Sequence, residues 1–449
     1  MIPSPWRAEA RAVLRLALPA VAQSLLQTMV FVVDRVMLGR HSASALASMQ
    51  VVGTLVWSLQ SIFASFSVGT VAVVGRCVGA RDAEGATSAL RGSVIIAAAV
   101  GAAIGLSAWL SVDGLVALLG GDLDPAVREA ARGYLRVMLP AMPALFLGIV
   151  TTNALQAAGD TRTPFAIAAL TNVVNVIGNA VLIFGAFGLP RLGATGAALS
   201  NAFALSLEAA LGLWALSRAG SPVRLSLSSP GVSAWTGARR VLAVSVGSFG
   251  ERVIYHAGYL SFVRMTNGLG PVAMAAHQAL LSLESVSFMS ADGFAVASSA
   301  RVAQNLGAGD VLAARRSAQS AAAMCAAALA VFALVFVLAG GPLVAIFQRD
   351  PAIVAAGRSA IWALALAQVP MGVAIVMAQS LRGAGATRDA LLIAMLGTLA
   401  VRISATWGFT YGLGLGFVGV WMGSGTDWTA RMLLGAWRWR RGRWSRVRV

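Results

Sequence analysis

The stretch LALPAVAQSLLQTMVFVVDRVMLG, residues 16–39, is uncharged until it places Asp34 beside Arg35 near its end. A run of about 20 apolar residues is long enough to cross the hydrocarbon core of a bilayer as an α-helix. A charged side chain at the centre of such a helix costs about 2.5–3.5 kcal/mol on insertion scales. The stretch therefore predicts a membrane-spanning helix that contains a carboxylate, for which a compensating partner is expected.

Similar apolar runs recur along the whole chain, which has 449 residues and is 58% hydrophobic with only 11% charged residues. Soluble domains carry about 25% charged residues, so the composition indicates an all-α polytopic membrane protein. The alternating segments of roughly 10 residues that are typical of outer-membrane barrels are absent from the sequence. The apolar runs predict about twelve spans, at residues 13–37, 46–75, 87–112, 131–157, 164–186, 194–218, 239–265, 272–303, 314–338, 354–381, 388–411 and 416–437.

Charge and cysteine usage argue against several classes of protein. The net charge is +17, but the arginines lie between apolar runs and at the C-terminus instead of forming one stripe, so we expect no nucleic acid partner. Cys77 and Cys325 are far apart and no histidine cluster is present, which argues against a metal centre. Because the sequence has no nucleophile–base set and no phosphate-binding loop, we expect neither an enzyme nor a cofactor.

Arginine-rich connections alternate with arginine-poor ones along the chain. The positive-inside rule places the arginine-rich set, and with it both termini, in the cytoplasm, which requires an even number of spans. The C-terminal sequence RWRRGRWSRVRV carries Trp439 and Trp444 among its arginines and follows Trp437. This tail is interpreted either as an interfacial anchor on anionic lipid or as a solvated segment.

The two halves of the chain resemble each other in three blocks that keep the same order. Small residues and arginine recur in many membrane loops, but chance recurrence does not explain a common order and spacing. Six spans in each half is an even number, so the two repeats share one orientation and are parallel. The paired blocks, offset by 228, 228 and 226 residues, are ALASMQ (45–50) with MAAHQ (274–278), GRCVGARDAEGATSA (75–89) with ARVAQNLGAGDVLAARRSA (300–318), and LQAAGDTRTP (155–164) with LRGAGATRDA (381–390).

The repeat predicts two six-helix lobes related by pseudo-two-fold symmetry around a central cleft, an arrangement typical of transporters with alternating access. A basic segment rich in Ser, Pro and Gly lies between the halves and is interpreted as a cytoplasmic linker. The predicted domains are an N-terminal lobe at 1–220 (spans 1–6), the linker at 221–238, a C-terminal lobe at 239–438 (spans 7–12) and a basic cytoplasmic tail at 439–449.

Four motifs carry a resemblance to a known family: LPAVAQSLLQTMVFVVDRVMLG in the first span, ALQAAGDTRTP after the fourth, NVVNVIGNAVLIFGAFGLPRLGATGAALS in the fifth and sixth, and VAMAAHQ followed by VAQNLGAG in the eighth. They resemble the multidrug and toxic compound extrusion (MATE) family, in its bacterial NorM- and DinF-like form. The resemblance implies a monomeric, multi-pass exporter in the lipid bilayer of the bacterial inner membrane. It also implies that small cationic amphiphiles or other xenobiotics leave in exchange for inward Na⁺ or H⁺.

Asp34 shares one helix face with Gln23 and Gln27, because separations of 11 and 7 residues return to within about 20° of the same direction. This polar stripe predicts a cation or proton site facing protein or water. The alternatives are an ion pair with Arg35 and a position near the outer membrane interface. The resemblance favours the functional interpretation, since the family uses the matching acid for ion coupling, in line with intramembrane acids in general.

Three asparagines lie at i, i+3 and i+7 on the fifth span, Asn172, Asn175 and Asn179. Amide oxygens with one carboxylate form a plausible Na⁺ site, whereas interhelical hydrogen bonding is the simpler alternative. Some family members have Asp where Asn179 stands, so this chain has one carboxylate fewer and a relay between two acids is in doubt. The resemblance adds Asn201, and Asn153 on the fourth span is a further candidate. The predicted ion-coupling set is Asp34, Asn153, Asn175, Asn179 and Asn201.

A second set of residues is predicted to line the substrate cleft. Glu251 matches a glutamate of the family's seventh helix, although Arg252 beside it offers an ion pair instead. Glu284 and Asp292 are eight residues apart, about 80° around a helix, and could add negative charge for a cationic substrate. Ion pairs with arginines such as Arg264 or Arg301 are the alternative. The predicted cleft set is Gln27, Glu251, Gln278, Glu284 and Asp292.

The C-terminal half does not repeat the predicted ion site. Met371 stands where NorM-like members carry a further acid, and the repeat offset of 228 pairs Asp34 with Phe262. We therefore expect the ion site in the N-terminal lobe alone. The main alternative function is a flippase or exporter for a lipid-linked saccharide or a specific metabolite, but such flippases usually have fourteen spans or a cationic cleft.

Overall fold

The computed structural model describes residues 5–120, 124–226, 233–447 and 449. Its regular structure is helical, and no strand occurs in these ranges. This confirms the predicted all-α class. Residues 227–232 of the predicted linker lie outside the described part of the chain.

The N-terminal half forms helices that coincide with the first six predicted spans. The fourth span is a pair of helices, α5 and α6, joined by the 3₁₀ turn Leu139–Ala141 around Pro140. The helices are α1 Pro5–His41, α2 Ala43–Gly79, α3 Ala83–Leu110, α4 Val112–Gly120, α5 Pro125–Met138, α6 Met142–Ala157, α7 Arg162–Phe184 and α8 Gly193–Ser217.

The C-terminal half provides the other six predicted spans. The eleventh is irregular, because the π-helical segments Leu396–Arg402 and Gly408–Gly412 flank a short α-helix, and such segments are frequent at functional sites. The helices are α9 Ala234–Asn267, α10 Pro271–Gly307, α11 Val311–Phe347, α12 Pro351–Gly383, α13 Thr387–Met395, α14 Ile403–Trp407 and α15 Gly416–Arg441.

Ten of the twelve predicted spans are long and apolar enough to cross a membrane by length and composition, counting only the described residues. The two others are α9 and α15, which are 34 and 26 residues long and therefore long enough to span a bilayer. These two helices are more polar than the other spans. Helix α9 carries Glu251 and Arg252, and α15 carries Asp427 and Arg431 in its interior.

The sequence repeat is visible in the backbone. Helices α2 and α10 are both 37 residues long, and α10 begins 228 positions after α2. The helices that follow them are capped in the same way: Asp82 Oδ1 accepts from the Gly85 N–H at 2.8 Å, and Asp310 Oδ1 accepts from the Ala313 N–H at 2.7 Å. The two repeats thus share the hydrogen bond that caps this helix start.

The chain divides into two compact units, Leu25–Ala243 and Met1–Ser24 with Val244–Val449, called here the N-terminal and the C-terminal unit. The division falls within α1, so the start of this helix belongs to the C-terminal unit. Glu9 explains this placement. Its carboxylate accepts two bonds from Arg301 Nη2 at 2.8 and 2.9 Å and one from Ser317 Oγ at 2.6 Å.

Each unit has its own apolar interior. In the N-terminal unit, the rings of Phe63 and Phe146 stack with centroids 3.7 Å apart among buried residues of α2, α5 and α6. In the C-terminal unit, alanines and glycines of α10–α12 let the helices approach closely, as at Gly383, where a Cβ would collide with the Ser299 backbone. These interiors hold the helices that carry the polar residues described next.

The tryptophans of the C-terminal tail are mostly buried. Trp444 is fully buried, its ring stacks on that of Trp439 at 3.9 Å, and its Nε1–H donates to the Trp439 carbonyl at 2.8 Å. Both interpretations of the tail are therefore wrong for Trp439 and Trp444, since packed rings are neither a lipid anchor nor solvated. Only Trp437 keeps an exposed ring, with the Arg441 guanidinium 3.8 Å from its centroid.

Candidate functional site

The close packing of α7 against α8 creates the setting for a polar cluster. The buried residues of α7 recur every three or four positions, and two of them are Asn175 and Asn179. Glycines allow the approach, because a Cβ at Gly178 would lie 2.5 Å from Ser200 Oγ and a Cβ at Gly196 would lie 2.5 Å from a carbonyl oxygen of α7. The amides of α7 and α8 are thereby brought within hydrogen-bonding distance of each other.

Asp34 of α1 is the only carboxylate that hydrogen-bonds within this cluster in the described chain. Asn179 Nδ2 donates to Asp34 Oδ1 at 2.6 Å, and Asn201 Nδ2 donates to Asp34 Oδ2 at 3.2 Å. Each carboxylate oxygen thus accepts one hydrogen bond from a neutral amide. Hydrogen bonds to an ionised acceptor are about twice as strong as those between neutral groups, so the two amides offset part of the cost of the buried charge.

A second layer of hydrogen bonds orients these two amides. Asn175 Nδ2 donates to Asn201 Oδ1 at 3.0 Å, and Asn179 Nδ2 also donates to Asn175 Oδ1 at 3.2 Å. Asn201 Nδ2 reaches the Tyr134 hydroxyl at 3.2 Å, which ties the cluster to α5. Asn179 Oδ1 is buried and has no hydrogen-bond partner. The cluster therefore holds one free amide oxygen beside its carboxylate.

The alternative of an ion pair between Asp34 and Arg35 is wrong. The Arg35 guanidinium lies over the Phe31 ring, 4.2 Å from its centroid, and the described residues contain no ion pair between it and Asp34. Neighbouring residues on a helix point in directions about 100° apart, which explains how the two charges separate. Asp34 is thus compensated by amides of distant helices and not by the adjacent cation.

Two other asparagines of the N-terminal unit lie apart from this cluster. Asn153 of α6 donates to Ser67 Oγ of α2 at 2.7 Å, and no hydrogen bond links it to Asp34. Asn172 has a buried Nδ2 without a partner. Of the predicted coupling set, the structure therefore brings together Asp34, Asn175, Asn179 and Asn201, and it places Asn153 in a separate interhelical contact.

The predicted cleft residues have varied surroundings. Glu251 does form an ion pair, but with Arg382 Nη2 of α12 at 3.3 Å and not with Arg252. Glu284 and Asp292 form no ion pair in the described chain, and Arg301, one of the suggested partners, is bound to Glu9. Glu284 Oε1 is buried without a hydrogen-bond partner. Gln27 of the N-terminal unit and Gln278 of the C-terminal unit are exposed.

Sequence reasoning missed a buried charge network in the C-terminal unit. Asp427 is fully buried and accepts from Arg402 Nε at 2.7 Å and from Arg431 Nε at 2.6 Å. Arg402 Nη2 also donates to Ser424 Oγ at 3.2 Å, and Arg431 Nη2 donates to Thr398 Oγ1 at 2.6 Å. The i, i+4 spacing of Asp427 and Arg431 was a usable signal. Arg402 is distant from Asp427 in sequence, so its ion pair with Asp427 could not be predicted without the structure.

This network lies at the repeat counterpart of the Asp34 cluster. Phe262 is the counterpart of Asp34, and the Arg402 guanidinium lies 5.1 Å from the centroid of its ring. Two guanidiniums and one carboxylate occupy the C-terminal unit where one carboxylate and three amides occupy the N-terminal unit. The local charge is therefore inverted between the repeats.

Comparison with known proteins agrees with the architecture. The MatE family model matches residues 19–181 and 248–407, which is more than half of the chain and includes both repeats. The chain belongs to the MatE family. Members of this family are membrane transporters and not enzymes, and they need no cofactor.

Curated relatives of this MatE protein extend over nearly its whole length. A probable multidrug resistance protein NorM from Pseudomonas putida is 31% identical over 454 residues, covering 95% of this chain and 96% of the relative. A protein of the same description from Thermotoga maritima is 26% identical over 440 residues, covering 97% and 93%. The match thus includes α1, α7 and α8 of the Asp34 cluster.

Solved structures share the fold. A MOP superfamily transporter from Pyrococcus furiosus, described as having a binding pocket of reverse polarity, aligns with a TM-score of 0.89 at 19% identity over 97% of this chain and 96% of that one. A mutant of the Vibrio cholerae MATE transporter VcmN aligns with a TM-score of 0.89 at 18% identity over 98% and 99%. At this level of identity the structures establish the fold of this MatE protein.

The buried network of Asp427, Arg402 and Arg431 is expected to stabilise the folded protein. Asp427→Asn leaves Arg402 and Arg431 without their counter-charge, and breaking a buried ion pair typically costs about 3–5 kcal/mol. We expect a clearly lower melting temperature of the purified protein in detergent. Asp389→Asn is the matched control, because its pair with Arg438 is partly exposed and such pairs contribute about 0–1 kcal/mol. Equal melting temperatures for the two variants would contradict the assigned role.

Proposed function

We propose that this MatE protein is a secondary active multidrug exporter that moves organic cations or other xenobiotics against inward Na⁺ or H⁺ by alternating access. The observation that carries the proposal is the Asp34 carboxylate, held between Asn179 and Asn201 in an otherwise apolar helical unit. A retained charge among membrane-spanning helices marks an ion or substrate pathway by default. The multidrug resistance proteins that resemble the chain support the choice of cargo.

The proposal includes a location and an assembly. The chain would be a monomeric multi-pass protein of the bacterial inner membrane, with both termini in the cytoplasm, because its arginine-rich connections alternate with arginine-poor ones. Its cargo would be small cationic amphiphiles, and lipid would surround its apolar helices. The two repeats, at residues 1–220 and 239–438 and joined by the linker 221–238, would act as its two lobes, followed by the basic tail 439–449.

The Asp34 cluster has the donor set that a hard monovalent cation requires. Asn179 and Asn201 present N–H groups to the carboxylate, and rotation of an amide by 180° would present its oxygen instead. One carboxylate with amide oxygens then suits Na⁺. A proton would serve the same purpose, since a protonated Asp34 donates one hydrogen bond to an amide oxygen. In both cases neutralising Asp34 changes its bonds to α7 and α8.

The membrane potential would supply free energy to this exchange. Each unit charge that moves inward gains about 2.3 kcal/mol per 100 mV. That energy supports roughly a fifty-fold concentration gradient of cargo, since about 1.4 kcal/mol corresponds to tenfold. The ion and the cargo need only bind preferentially to opposite conformations of the transporter.

A flippase for a lipid-linked saccharide, or an exporter of one metabolite, is the alternative. Recognition of an anionic lipid phosphate requires accessible guanidiniums. The intramembrane Arg402 and Arg431 are only 7% and 9% exposed, and both are bound to Asp427. The carboxylate-centred cluster at Asp34 therefore favours the exporter of cations.

The first test removes the charge at position 34. Asp34→Asn keeps the side-chain shape but takes away the group that would bind the ion, so we expect efflux of an ethidium-type fluorescent cation to fall at least about tenfold at equal protein level. Asp113→Asn is the control, because Asp113 is exposed and pairs with Arg132 outside the cluster. Undiminished efflux by the Asp34 variant would refute the proposed coupling site.

The second test compares Asn179, which belongs to the Asp34 cluster, with Asn153, which lies outside it. Asn179→Ala removes an amide that binds the carboxylate, and a hydrogen bond to a charged group is typically worth about 1.5–3 kcal/mol. In energised vesicles with the two gradients imposed separately, we expect the Na⁺ concentration for half-maximal efflux to rise about tenfold or more, because the ion loses an amide ligand. The H⁺ concentration for half-maximal efflux should instead fall, because the lost N–H bond stabilised the ionised carboxylate. Asn153→Ala should leave both concentrations nearly unchanged. Equal responses of both variants to both ions would rule out Asn179 as a ligand.

A further inference from the structure

Glu208 is the only titratable residue of α8 and has no place in the cluster described above. The exposed side of α8 is marked by Leu199, Phe203 and Trp214. At 100° per residue, Glu208 points about 180° away from Leu199 and about 140° away from Phe203. Asn201, which binds Asp34, points within about 20° of Glu208. The carboxylate therefore faces the interior of the N-terminal unit and not lipid.

The neighbouring helix provides space for this carboxylate. Glu208 Cδ lies 3.6 Å from the position that a Cβ would take at Gly148 of α6, so the glycine leaves its surface open to the carboxyl group. The same two helices touch again one turn further on, where a Cβ at Gly212 would collide with Thr151. Glu208 is nevertheless only partly buried. Its interior direction and residual exposure together indicate open space beside α6 and α8.

Glu208 has neither a hydrogen bond nor an ion pair in the part of the chain that the structure describes. The elements that pack on α8 supply few charges. Helix α6 has no titratable residue, and α7 has only Arg162, at its first position. The remaining titratable groups on the packed elements are Arg128, Glu129, Arg132, Tyr134 and Arg136 of α5 and Arg76 and Cys77 of α2.

Because Glu208 has no hydrogen-bond or ion-pair partner in the described residues, its surroundings favour a proton over Na⁺ as the cation that it binds. Na⁺ needs several oxygen ligands, and Glu208 lacks the amides that surround Asp34. An isolated ionised carboxylate away from water is costly, and such a group normally neutralises by taking up a proton. A proton requires no further ligand and needs only access to water. The surroundings of Glu208 thus suit a proton alone, whereas those of Asp34 suit Na⁺ or a proton.

We propose that Glu208 is a second, proton-binding carboxylate of the N-terminal unit, separate from the Asp34 cluster. Glu208 takes a proton from water to become a neutral carboxylic acid and returns it as the carboxylate. Glu208 lies seven residues from Asn201, about 10.5 Å along the same face of α8. Because Asn201 binds Asp34, both Glu208 and Asp34 lie beside this face. The effect of Glu208 on efflux rests on the proposed function, whereas its protonation does not.

Infrared difference spectroscopy of the full-length protein in lipid nanodiscs tests protonation directly. We expect the wild type at about pH 5 to show a carboxylic-acid carbonyl band that is reduced in Glu208→Gln and persists in Asp34→Asn. Part of the band should remain in Glu208→Gln, because Glu284 Oε1 also lacks a hydrogen-bond partner among the described residues. Glu84→Gln, at an exposed acid in the first turn of α3, should leave the band in place. A band unchanged by Glu208→Gln would overturn the proposal, because Glu208 would then be ionised.

Proteoliposomes test the consequence for transport. With Na⁺ equal on both sides, the dependence of drug efflux on a pH gradient should fall at least about tenfold in Glu208→Gln and return in part in Glu208→Asp. Full pH dependence in a Glu208→Gln protein of normal melting temperature would overturn the proposal. Loss of pH dependence in Glu208→Gln together with full activity of Asp34→Asn would support Glu208 and refute the Asp34 coupling site.

Discussion

The compensation of one carboxylate by two amides within an apolar helical unit is the interaction on which the proposed mechanism depends. Asp34 Oδ1 and Oδ2 each accept one amide N–H, from Asn179 and Asn201. Neutral amides stabilise a charge without cancelling it, so the carboxylate remains available to a cation. An arginine in their place would have filled the site permanently. This difference separates an ion site from a structural ion pair.

The C-terminal unit contains the structural ion pair of this contrast. Its repeat position holds Phe262 under Arg402, and the nearby Asp427 is fully occupied by two guanidiniums. Removing charges from water is expensive unless further hydrogen bonds compensate for it, and Ser424 and Thr398 each accept one such bond from a guanidinium. A duplicated six-helix unit has thus kept an open carboxylate in one copy and a closed charge network in the other.

Much of the fold and part of the site followed from the sequence. Each of the twelve apolar runs coincides with helical segments in the described residues, and the repeat located equivalent helix starts such as Asp82 and Asp310. The i, i+3, i+7 pattern placed Asn175 and Asn179 on one face, and the family resemblance added Asn201. Asn172 belongs to the same pattern and Asn153 lies on another span without a pattern of its own, so sequence could not separate these two from the cluster.

Contacts between distant residues could not be predicted. Glu9 binds Arg301 almost three hundred residues away, Glu251 pairs with Arg382 instead of its neighbour, and Trp444 folds back on Trp439. Local spacing specifies which face a side chain occupies, but not which helix meets that face. Packing decides this, and small residues such as Gly178 set how closely helices approach.

The central claim is that the ion at Asp34 and the cationic cargo oppose each other. By reciprocity, an ion that lowers the affinity for the cargo is itself released when the cargo binds. The most direct measurement is the equilibrium affinity of the purified protein for a fluorescent organic cation, as Na⁺ concentration and pH are varied separately. The account predicts that affinity falls as one of these ions is raised, and that Asp34→Asn abolishes the dependence. An affinity independent of both ions in the wild type would contradict it.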